Sequence, residues 1–261
     1  MIFCIDIGNS NIKYAIYDGE NLKATFRVSS VNASTSDEYG VIVSDLIKSA
    51  GVEKGDITGV IMSSVIPQLN YTMEHMCKDY LGFEPIEVST SINTGLQYLV
   101  DSPKEVGADR IVNSVACYQK YNLKHNCATI CIDFGTALTF NVVSVKGEFL
   151  GGAIFPGMKT ALDSLVNGTA KLPNIELELP EKIIATGTVT NMQSGLINGY
   201  IGVVEKIVAE MKKELKEPCK VVVTGGLGEI IAKKTACVDF IDRRLTLDGL
   251  RIIYEMNKDK Q

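Results

Sequence analysis

Short apolar runs separated by glycine-containing turns occur twice in the chain, once at its start and once near its middle. Each set consists of three runs, and the length and β-branched content of these runs predict buried or half-buried β-strands. The predicted strands are Met1–Ile5, Asn11–Tyr17 and Leu22–Val28 in the first set, and Ala128–Ile132, Leu138–Val145 and Glu148–Phe155 in the second. Repetition of a three-strand unit at this distance predicts a duplicated α/β fold.

The same polar motif follows the first strand of each set. The motif is Asp6-Ile7-Gly8-Asn9-Ser10 in the first set and Asp133-Phe134-Gly135-Thr136-Ala137 in the second. A glycine-tightened turn of this kind directs backbone N–H groups and a hydroxyl at a phosphate, while its aspartate holds a cation. One copy alone is equally typical of an ordinary tight turn. Two copies at matching places favour phosphate binding and predict an enzyme of phosphoryl transfer.

Helical periodicity and turn residues predict the remaining elements. A helix at Ser36–Ala50 begins with Ser36 as its cap, and a long helix at Thr188–Lys216 is interrupted or kinked around Gly195, Gly199 and Gly202. The other predicted elements are helices at Asn70–Leu81 and Val106–Tyr121, one starting near Met158, one at Leu247–Met256, and strands at Ile57–Val65, Pro85–Val88 and Cys219–Val223. Without a low-complexity linker, we expect two tightly joined lobes, 1–122 and 123–261, in which the last helix can pack on the first lobe.

Composition narrows the function classes. The 261 residues carry a net charge of −5 without a basic block, which gives no indication of nucleic-acid or membrane-surface binding. The apolar runs are strand-sized, and the chain enters a strand at once, so neither a membrane span nor a cleavable signal is expected. Seven scattered cysteines without a Cys-x-x-Cys pair are typical of buried thiols in a reducing compartment. The cytoplasm is therefore the expected location.

Two common nucleotide-binding motifs are missing from the sequence. The chain has neither Gly-x-x-x-x-Gly-Lys-Ser/Thr nor a strand followed by Gly-x-Gly-x-x-Gly. Four other motifs occur in order: Asp6-x-Gly8-Asn9, Gly107-x-Asp109-Arg110, Asp133-x-Gly135-Thr136-Ala137-x-Thr139 and Gly151-Gly152-x-Ile154-x-Pro156-Gly157. Together they resemble the type III pantothenate kinases, which belong to the superfamily of acetate and sugar kinases, Hsp70 and actin.

This resemblance implies a fold and an activity. The fold is α/β, with two duplicated ribonuclease-H-like lobes (the actin-like ATPase fold) and a nucleotide cleft between them. The activity is ATP-dependent phosphorylation of pantothenate, the first step of coenzyme A biosynthesis, in a homodimer. The cofactors that it implies are ATP, Mg²⁺ and a monovalent cation, either K⁺ or NH₄⁺.

The resemblance also implies roles for individual residues. Asp109 is the general base for the substrate hydroxyl, and Arg110 binds the substrate carboxylate. Gly107, Ala108, Thr188 and position 100 are implied as further substrate contacts. For Thr188 an ordinary helix N-cap is the alternative.

The ATP and cation contacts follow in the same way. Asp133 is similar to the residue that binds the monovalent cation. Thr136, Gly225 and Gly226 are similar to ATP contacts, although Gly225 and Gly226 are equally typical of a strand-to-helix turn. The first loop and the strand after it supply the rest: Asp6, Ile7, Gly8, Asn9, Ser10, Asn11, Ile12 and Lys13.

Two departures from the family pattern keep alternatives open. Val100 stands where the family usually has an aromatic residue, and Asn141 stands where an acidic residue often ends the second phosphate motif. We expect a looser substrate pocket and weaker cation binding. The rival interpretations are another small-molecule kinase of the superfamily and a non-catalytic nucleotide-binding accessory protein. A filament-forming or chaperone ATPase fits less well, because such proteins carry extra subdomains.

Overall fold

The structure is a computed structural model that describes residues 1–30 and 34–260. The chain forms two compact units. One comprises Met1–Ala116 together with the chain from Arg244 onward, and the other comprises Cys117–Arg243. Among the described residues, no helix has both the length and the apolar character needed to cross a membrane.

The described residues of the first unit form six strands and four helices. Its strands are β1 (Ile2–Ile7), β2 (Asn11–Asp18), β3 (Asn21–Ser29), β4 (Gly59–Ser64), β5 (Ile86–Glu87) and β6 (Gln97–Tyr98). Its helices are α1 (Ser36–Ser49), α2 (Pro67–Met76), α3 (Ala108–Cys117) and, at the end of the chain, α8 (Leu245–Asn257). Irregular helical turns extend α2 over Cys77–Leu81 and α3 over Tyr118–Asn122.

The five-stranded sheet of this unit has the order β3-β2-β1-β4-β5, with β1 antiparallel to β2 and parallel to β4. Alternate residues of β1 serve two hydrophobic cores. Phe3, Ile5 and Ile7 belong to a core that includes residues of α1 and α2. Ile2 and Cys4 belong to a core that includes residues of α3 and α8. Since Asp6 follows the alternation of Ile2 and Cys4, its side chain lies on the face that α3 and α8 cover.

The second unit contains five further strands and four further helices. The strands are β7 (Ala128–Phe134), β8 (Ala137–Val143), β9 (Glu148–Pro156), β10 (Cys219–Gly225) and β11 (Phe240–Ile241). The helices are α4 (Leu123–His125), α5 (Met158–Asn167), α6 (Thr188–Leu215) and α7 (Gly228–Ala232). Within the unit the strands run in the order β9-β8-β7-β10-β11.

The two units repeat one topology. In each, the central strand has an antiparallel hairpin on one side and a parallel pair on the other. Three residues of β7 (Ile130, Ile132 and Phe134) contribute to a core that includes residues of α5, α6 and α7. The predicted duplicated α/β fold is confirmed.

Three local predictions differ from the structure. The cap of α1 is Thr35, whose hydroxyl accepts from the Glu38 N–H at 3.3 Å while the Glu38 carboxylate accepts from the Thr35 N–H at 2.7 Å. Ser36, which was predicted as the cap, is therefore the first residue of the helix. Helix α6 runs without interruption through Gly195, Gly199 and Gly202. The short elements β6, β11 and α7 were not predicted, because two to five residues are too few to show a period.

A buried hydrogen bond connects β2 to α8. The Tyr17 hydroxyl donates to Asp248 Oδ1 at 2.7 Å, and both residues are buried. Tyr14 lies three positions earlier in the same strand and is fully buried, and its hydroxyl has no partner among the described residues. The two tyrosines therefore offer a matched comparison.

We expect Tyr17→Phe to lower the free energy of unfolding by about 1–3 kcal/mol, because Asp248 loses a buried donor. Tyr14→Phe removes an unpaired buried hydroxyl, so it is expected to be neutral or stabilising. Urea denaturation of both variants measures the difference. Equal destabilisation by the two substitutions would contradict this account.

Candidate active site

The first phosphate loop begins at a carboxylate that is held from both sides. Asp6 lies in register with Lys13 on β2 and with Ser63 on β4. The Ser63 hydroxyl donates to Asp6 Oδ1 at 2.8 Å, and Lys13 Nζ lies 3.2 Å from Asp6 Oδ2. The structure thus brings together the predicted residues Asp6 and Lys13, and adds Ser63, which the sequence analysis did not identify. An apolar run ending in two serines was the only signal for it.

The loop itself is a tight turn fixed from the end of β3. The Gly8 N–H donates to the Asn11 carbonyl at 3.1 Å and closes the turn. Ser30 contacts the loop twice: its hydroxyl donates to the Gly8 carbonyl at 2.6 Å, and its N–H donates to the Ser10 carbonyl at 3.2 Å. Asn9 and Ser10 are exposed at the tip, where their side chains and N–H groups can meet a phosphate. Ile7 and Ile12 are buried and their side chains belong to the hydrophobic core, so a ligand could contact these two residues only through their backbone.

Asp109 lies in the first turn of α3. Its Oδ1 accepts from the Arg110 N–H at 2.8 Å. A Cβ at Gly107 would come within 2.7 Å of the same oxygen, so the glycine of the Gly-x-Asp-Arg motif leaves room for the carboxylate. Asp109 and Arg110 are both partly exposed, while Ala108 is buried. The predicted base and carboxylate clamp therefore lie next to each other at the start of one helix.

The electrostatic environment of Asp109 disfavours its charged form. Burial raises the pKa of Asp109, and the nearby Asp6 raises it further, while the hydrogen bond from the Arg110 N–H and the charge of Arg110 act in the opposite direction. Burial lowers the pKa of Arg110, and the Asp109 carboxylate counteracts this effect. The influence of Asp6 shows that the first phosphate loop and the proposed base share one electrostatic environment.

Val100 belongs to the segment between β6 and α3, and its side chain is partly buried. The nearest aromatic residue in sequence is Tyr98, which packs against the core beneath α3 and α8. Its hydroxyl donates to Thr94 at 3.0 Å. Tyr98 therefore has a structural role, and the effect of Val100 on substrate binding stays a prediction.

The second phosphate loop is one residue shorter than the first. The Gly135 N–H donates to the Ala137 carbonyl at 3.1 Å. Two groups from the following elements donate to the Thr136 carbonyl, the Gly157 N–H at 3.0 Å and the Thr160 hydroxyl at 2.7 Å. The Pro-Gly end of the fourth motif thus supports the loop that carries Thr136. Thr160 is a second residue that the sequence analysis missed.

Asp133 occupies the same place in the second unit as Asp6 in the first. It lies in register with Thr139 on β8 and with Thr224 on β10. Asn141 follows two residues after Thr139, and so on the same face of the sheet. Asn141 is fully buried and its Nδ2 donates to Thr139 at 3.4 Å, a long contact. These oxygen-bearing side chains are the ligand type that a hard cation prefers.

Gly225 ends β10 and Gly226 follows it, and the two positions differ in whether a larger residue would fit. Gly225 has a φ of +92°, and a Cβ there would lie 2.5 Å from the Phe134 carbonyl oxygen of the neighbouring strand. The backbone conformation and the close approach of Phe134 therefore require a glycine at position 225. A Cβ at Gly226 would meet nothing within 4 Å. Packing within the protein accounts for the glycine at position 225 but not for the one at position 226. The predicted approach of adenosine would account for Gly226.

Thr188 is the first residue of α6 and is exposed. The cap of the helix is Gly187, and the Thr190 hydroxyl bonds to both the N–H and the carbonyl of that residue. The N-cap alternative for Thr188 is therefore wrong, and its side chain is not used in capping the helix.

The raised pKa of Asp109 gives a pH-dependent stability prediction. Folding raises this pKa above its value in the unfolded chain, so ionising Asp109 weakens the fold. The penalty is absent below the unfolded pKa and complete above the folded one. We therefore expect Asp109→Asn, which keeps an acceptor oxygen for the Arg110 N–H, to be more stable than the original chain at neutral pH.

Urea denaturation at several values between about pH 4 and pH 8 tests this. The stability advantage of the variant should grow as the pH rises through the titration of Asp109. An advantage that stays constant over this range would show that Asp109 ionises without cost.

Comparison with known proteins places these motifs in a family. The sequence model of the type III pantothenate kinase family matches residues 2–210. A type III pantothenate kinase of Geotalea uraniireducens (strain Rf4) is 46% identical over 259 residues, which cover 99% of this chain and 100% of the relative. One of Geobacter sulfurreducens is 44% identical with the same coverage.

Solved structures agree on the fold. A ROK family glucokinase from Streptomyces griseus superimposes with a TM-score of 0.54 at 13% identity, covering 99% of both chains. At this identity the likeness concerns the fold alone, which is that of the actin-like ATPases and sugar kinases. The match of the family model to residues 2–210 and the two relatives at 46% and 44% identity establish that the chain belongs to the type III pantothenate kinases.

Proposed function

We propose that this protein transfers the γ-phosphoryl group of ATP to the primary hydroxyl of pantothenate, giving 4'-phosphopantothenate, the first step of coenzyme A biosynthesis. The observation that carries the proposal is the pair formed by Asp109 and Arg110. In a member of this family, a partly buried carboxylate lies next to a permanently charged guanidinium, in the electrostatic environment of a phosphate loop. This pair matches a substrate that carries one reacting hydroxyl and one carboxylate.

Asp109 is proposed to accept the hydroxyl proton and to orient the hydroxyl oxygen towards the γ-phosphorus. Phosphoryl transfer depends mainly on positioning and charge stabilisation, so the base need not be strong. Arg110 is proposed to bind the pantothenate carboxylate through its planar fork of donors. Gly107, Ala108, Val100 and the exposed Thr188 are proposed as further substrate contacts.

Each phosphate loop is proposed to bind ATP through its own turn. In the first unit these contacts come from Asp6 to Lys13, and in the second from Thr136, with Gly225 and Gly226 on the adenosine side. Asp6 fits a divalent ion, because its buried carboxylate is already held in a fixed orientation by Ser63 and Lys13. A bound Mg²⁺ would neutralise charge on the phosphate oxygens.

A monovalent cation, K⁺ or NH₄⁺, is proposed to bind at Asp133. Two hydroxyl residues, Thr139 and Thr224, lie in register with that aspartate on the neighbouring strands. Asn141 lies on the same face of the sheet, and an amide there supplies less charge than a carboxylate. We therefore retain the expectation of weaker cation binding. We also propose that the enzyme works in the cytoplasm.

A coupled assay of ADP release tests the reaction. Pantothenate, ATP and Mg²⁺ should give turnover that depends on pantothenate and increases with K⁺ or NH₄⁺. Asp109→Asn should reduce kcat by about a hundredfold or more, because the base is lost while the shape is kept. The exposed Asp101 lies in the segment that leads to α3, and Asp101→Asn is the matched control that should keep activity.

Substrate choice is decided in the same assay. Turnover with a different hydroxy acid, while pantothenate is ignored, would favour another kinase of the superfamily and would point to Val100. ATP binding without turnover on any acceptor would favour a non-catalytic accessory protein.

A homodimer is also proposed. Its support is an apolar groove of about 260 Å³ on the second unit, formed by β9, α5 and α6. Phe155, Ala161, Leu196, Tyr200 and Val203 are among the residues that line it. Such a surface is suited to burial against a second copy of the chain.

Sedimentation equilibrium should give about twice the chain mass of 28.4 kDa, and a monomer at micromolar concentration would contradict the proposal.

A further inference from the structure

We propose that Ser63 is a positioning residue for phosphoryl transfer, whose hydroxyl fixes the Asp6 carboxylate in the orientation that binds magnesium and ATP. The proposal rests on the function proposed above in one respect, the role of Asp6 at the metal–nucleotide complex. It adds a residue that lies outside the four motifs.

The placement of Ser63 follows from strand register. Asp6 on β1 has Lys13 as its Cα partner on β2 and Ser63 as its partner on β4. In-register residues of adjacent strands point to the same side of a sheet. All three side chains therefore lie on the face that α3 covers, and Asp109 belongs to that helix.

The contact itself is a buried hydrogen bond of ordinary length. The Ser63 hydroxyl donates to Asp6 Oδ1 at 2.8 Å, and Ser63 is 1% exposed. A serine hydroxyl has a single hydrogen, so this bond uses its whole donor capacity. Hydrogen bonds to a charged acceptor are stronger than neutral ones, and more so where water is excluded. The bond fixes the rotation of the carboxylate about its Cβ–Cγ axis.

The second carboxylate oxygen has a different environment. Asp6 Oδ2 lies 3.2 Å from Lys13 Nζ, and the lysine side chain is 38% exposed. Oδ1 is thus held inside the sheet by Ser63, while Oδ2 faces the more open side. Without the Ser63 hydroxyl only Lys13 would hold the carboxylate, and its plane could rotate about the Cβ–Cγ bond.

The second unit repeats the arrangement independently. Asp133 has Thr224 as its partner on the parallel strand β10, at the register position that Ser63 occupies beside Asp6. Thr224 is also buried. A hydroxyl residue beside the loop aspartate therefore occurs in both halves, which argues that it serves the aspartate.

The test compares three substitutions at Ser63 with one at its neighbour. Ser63→Ala removes the hydroxyl, Ser63→Thr keeps it, and Ser63→Cys fills the space with a weak donor. The matched control is Ser64→Ala, because the Ser64 hydroxyl accepts from the Ile66 N–H at 3.1 Å and is not bonded to Asp6. Each variant is assayed for the KM of magnesium–ATP and of pantothenate, and its thermal midpoint is recorded.

We expect Ser63→Ala to raise the KM of magnesium–ATP about tenfold or more, with the KM of pantothenate within about twofold. Ser63→Thr should restore the magnesium–ATP value to within about threefold of the original. Ser64→Ala should change neither constant. If Ser63→Ala does not fold, Ser63→Cys replaces it in the comparison. Ser63→Cys should then raise the KM of magnesium–ATP and leave the KM of pantothenate unchanged.

Two results would overturn the proposal. An unchanged KM for magnesium–ATP in Ser63→Ala would show that Asp6 needs no such anchor. An equal rise in both constants, together with a lowered thermal midpoint, would show a purely structural role.

Titration calorimetry with magnesium–ATP alone separates this question from the proposed reaction. If the unaltered protein showed no turnover of pantothenate, the proposed function would be refuted. The role of Ser63 would still be decided by comparing the calorimetric affinity for magnesium–ATP of Ser63→Ala with that of the unaltered protein.

Discussion

The first unit depends on one constraint, a carboxylate buried at the end of its central strand. Asp6 is 6% exposed, and a charge in such a place costs several kcal/mol unless partners compensate for it. The compensation comes from both neighbouring strands, a cation from β2 and a hydroxyl from β4. The register of three strands is therefore tied to the charge state of a single side chain. A slip of one residue would turn Lys13 and Ser63 to the opposite face and leave Asp6 without partners.

Duplication has kept the strand order and the loop aspartate, but the residues in register with that aspartate on the hairpin strand differ. Lys13 lies opposite Asp6, whereas the neutral Thr139 lies opposite Asp133. A carboxylate beside a lysine already has a cation from the protein. A carboxylate flanked in register by two hydroxyl residues offers a set of oxygen ligands for a cation. This difference supports the proposed monovalent cation site at the second loop. The proposed divalent site at the first loop rests instead on the fixed orientation of Asp6.

The sequence was sufficient for the repeated strands, both loops and the family, because these features are local. Each strand is a continuous apolar run, and each loop follows its strand directly. Ser63 and Thr160 could not be predicted, since they lie 57 and 24 positions from the groups they contact. Only the fold brings those partners together.

The wrong prediction for α6 has a different cause. Its three glycines lie on the exposed side of the helix, while Ile197, Val204 and Val208 are buried on the other. A glycine in a helix costs about 1 kcal/mol. Burial of each large aliphatic side chain contributes about 1.5–3 kcal/mol, so packing keeps the helix continuous.

The charge of Asp6 influences Asp109, the proposed base, and so couples it to the first loop. A base that accepts a hydroxyl proton must be ionised, yet burial and the charge of Asp6 both favour the protonated form. The Arg110 N–H and guanidinium act against them, and the balance leaves a carboxylate whose pKa is raised. Of these influences burial is fixed by the fold, whereas the effect of Asp6 on Asp109 would be offset by a cation bound beside Asp6. A cation bound there would therefore reduce the upward effect of Asp6 on the pKa of Asp109, while the negative charge of bound phosphates would act in the opposite direction. The protonation of the proposed base is thus sensitive to what the first loop holds.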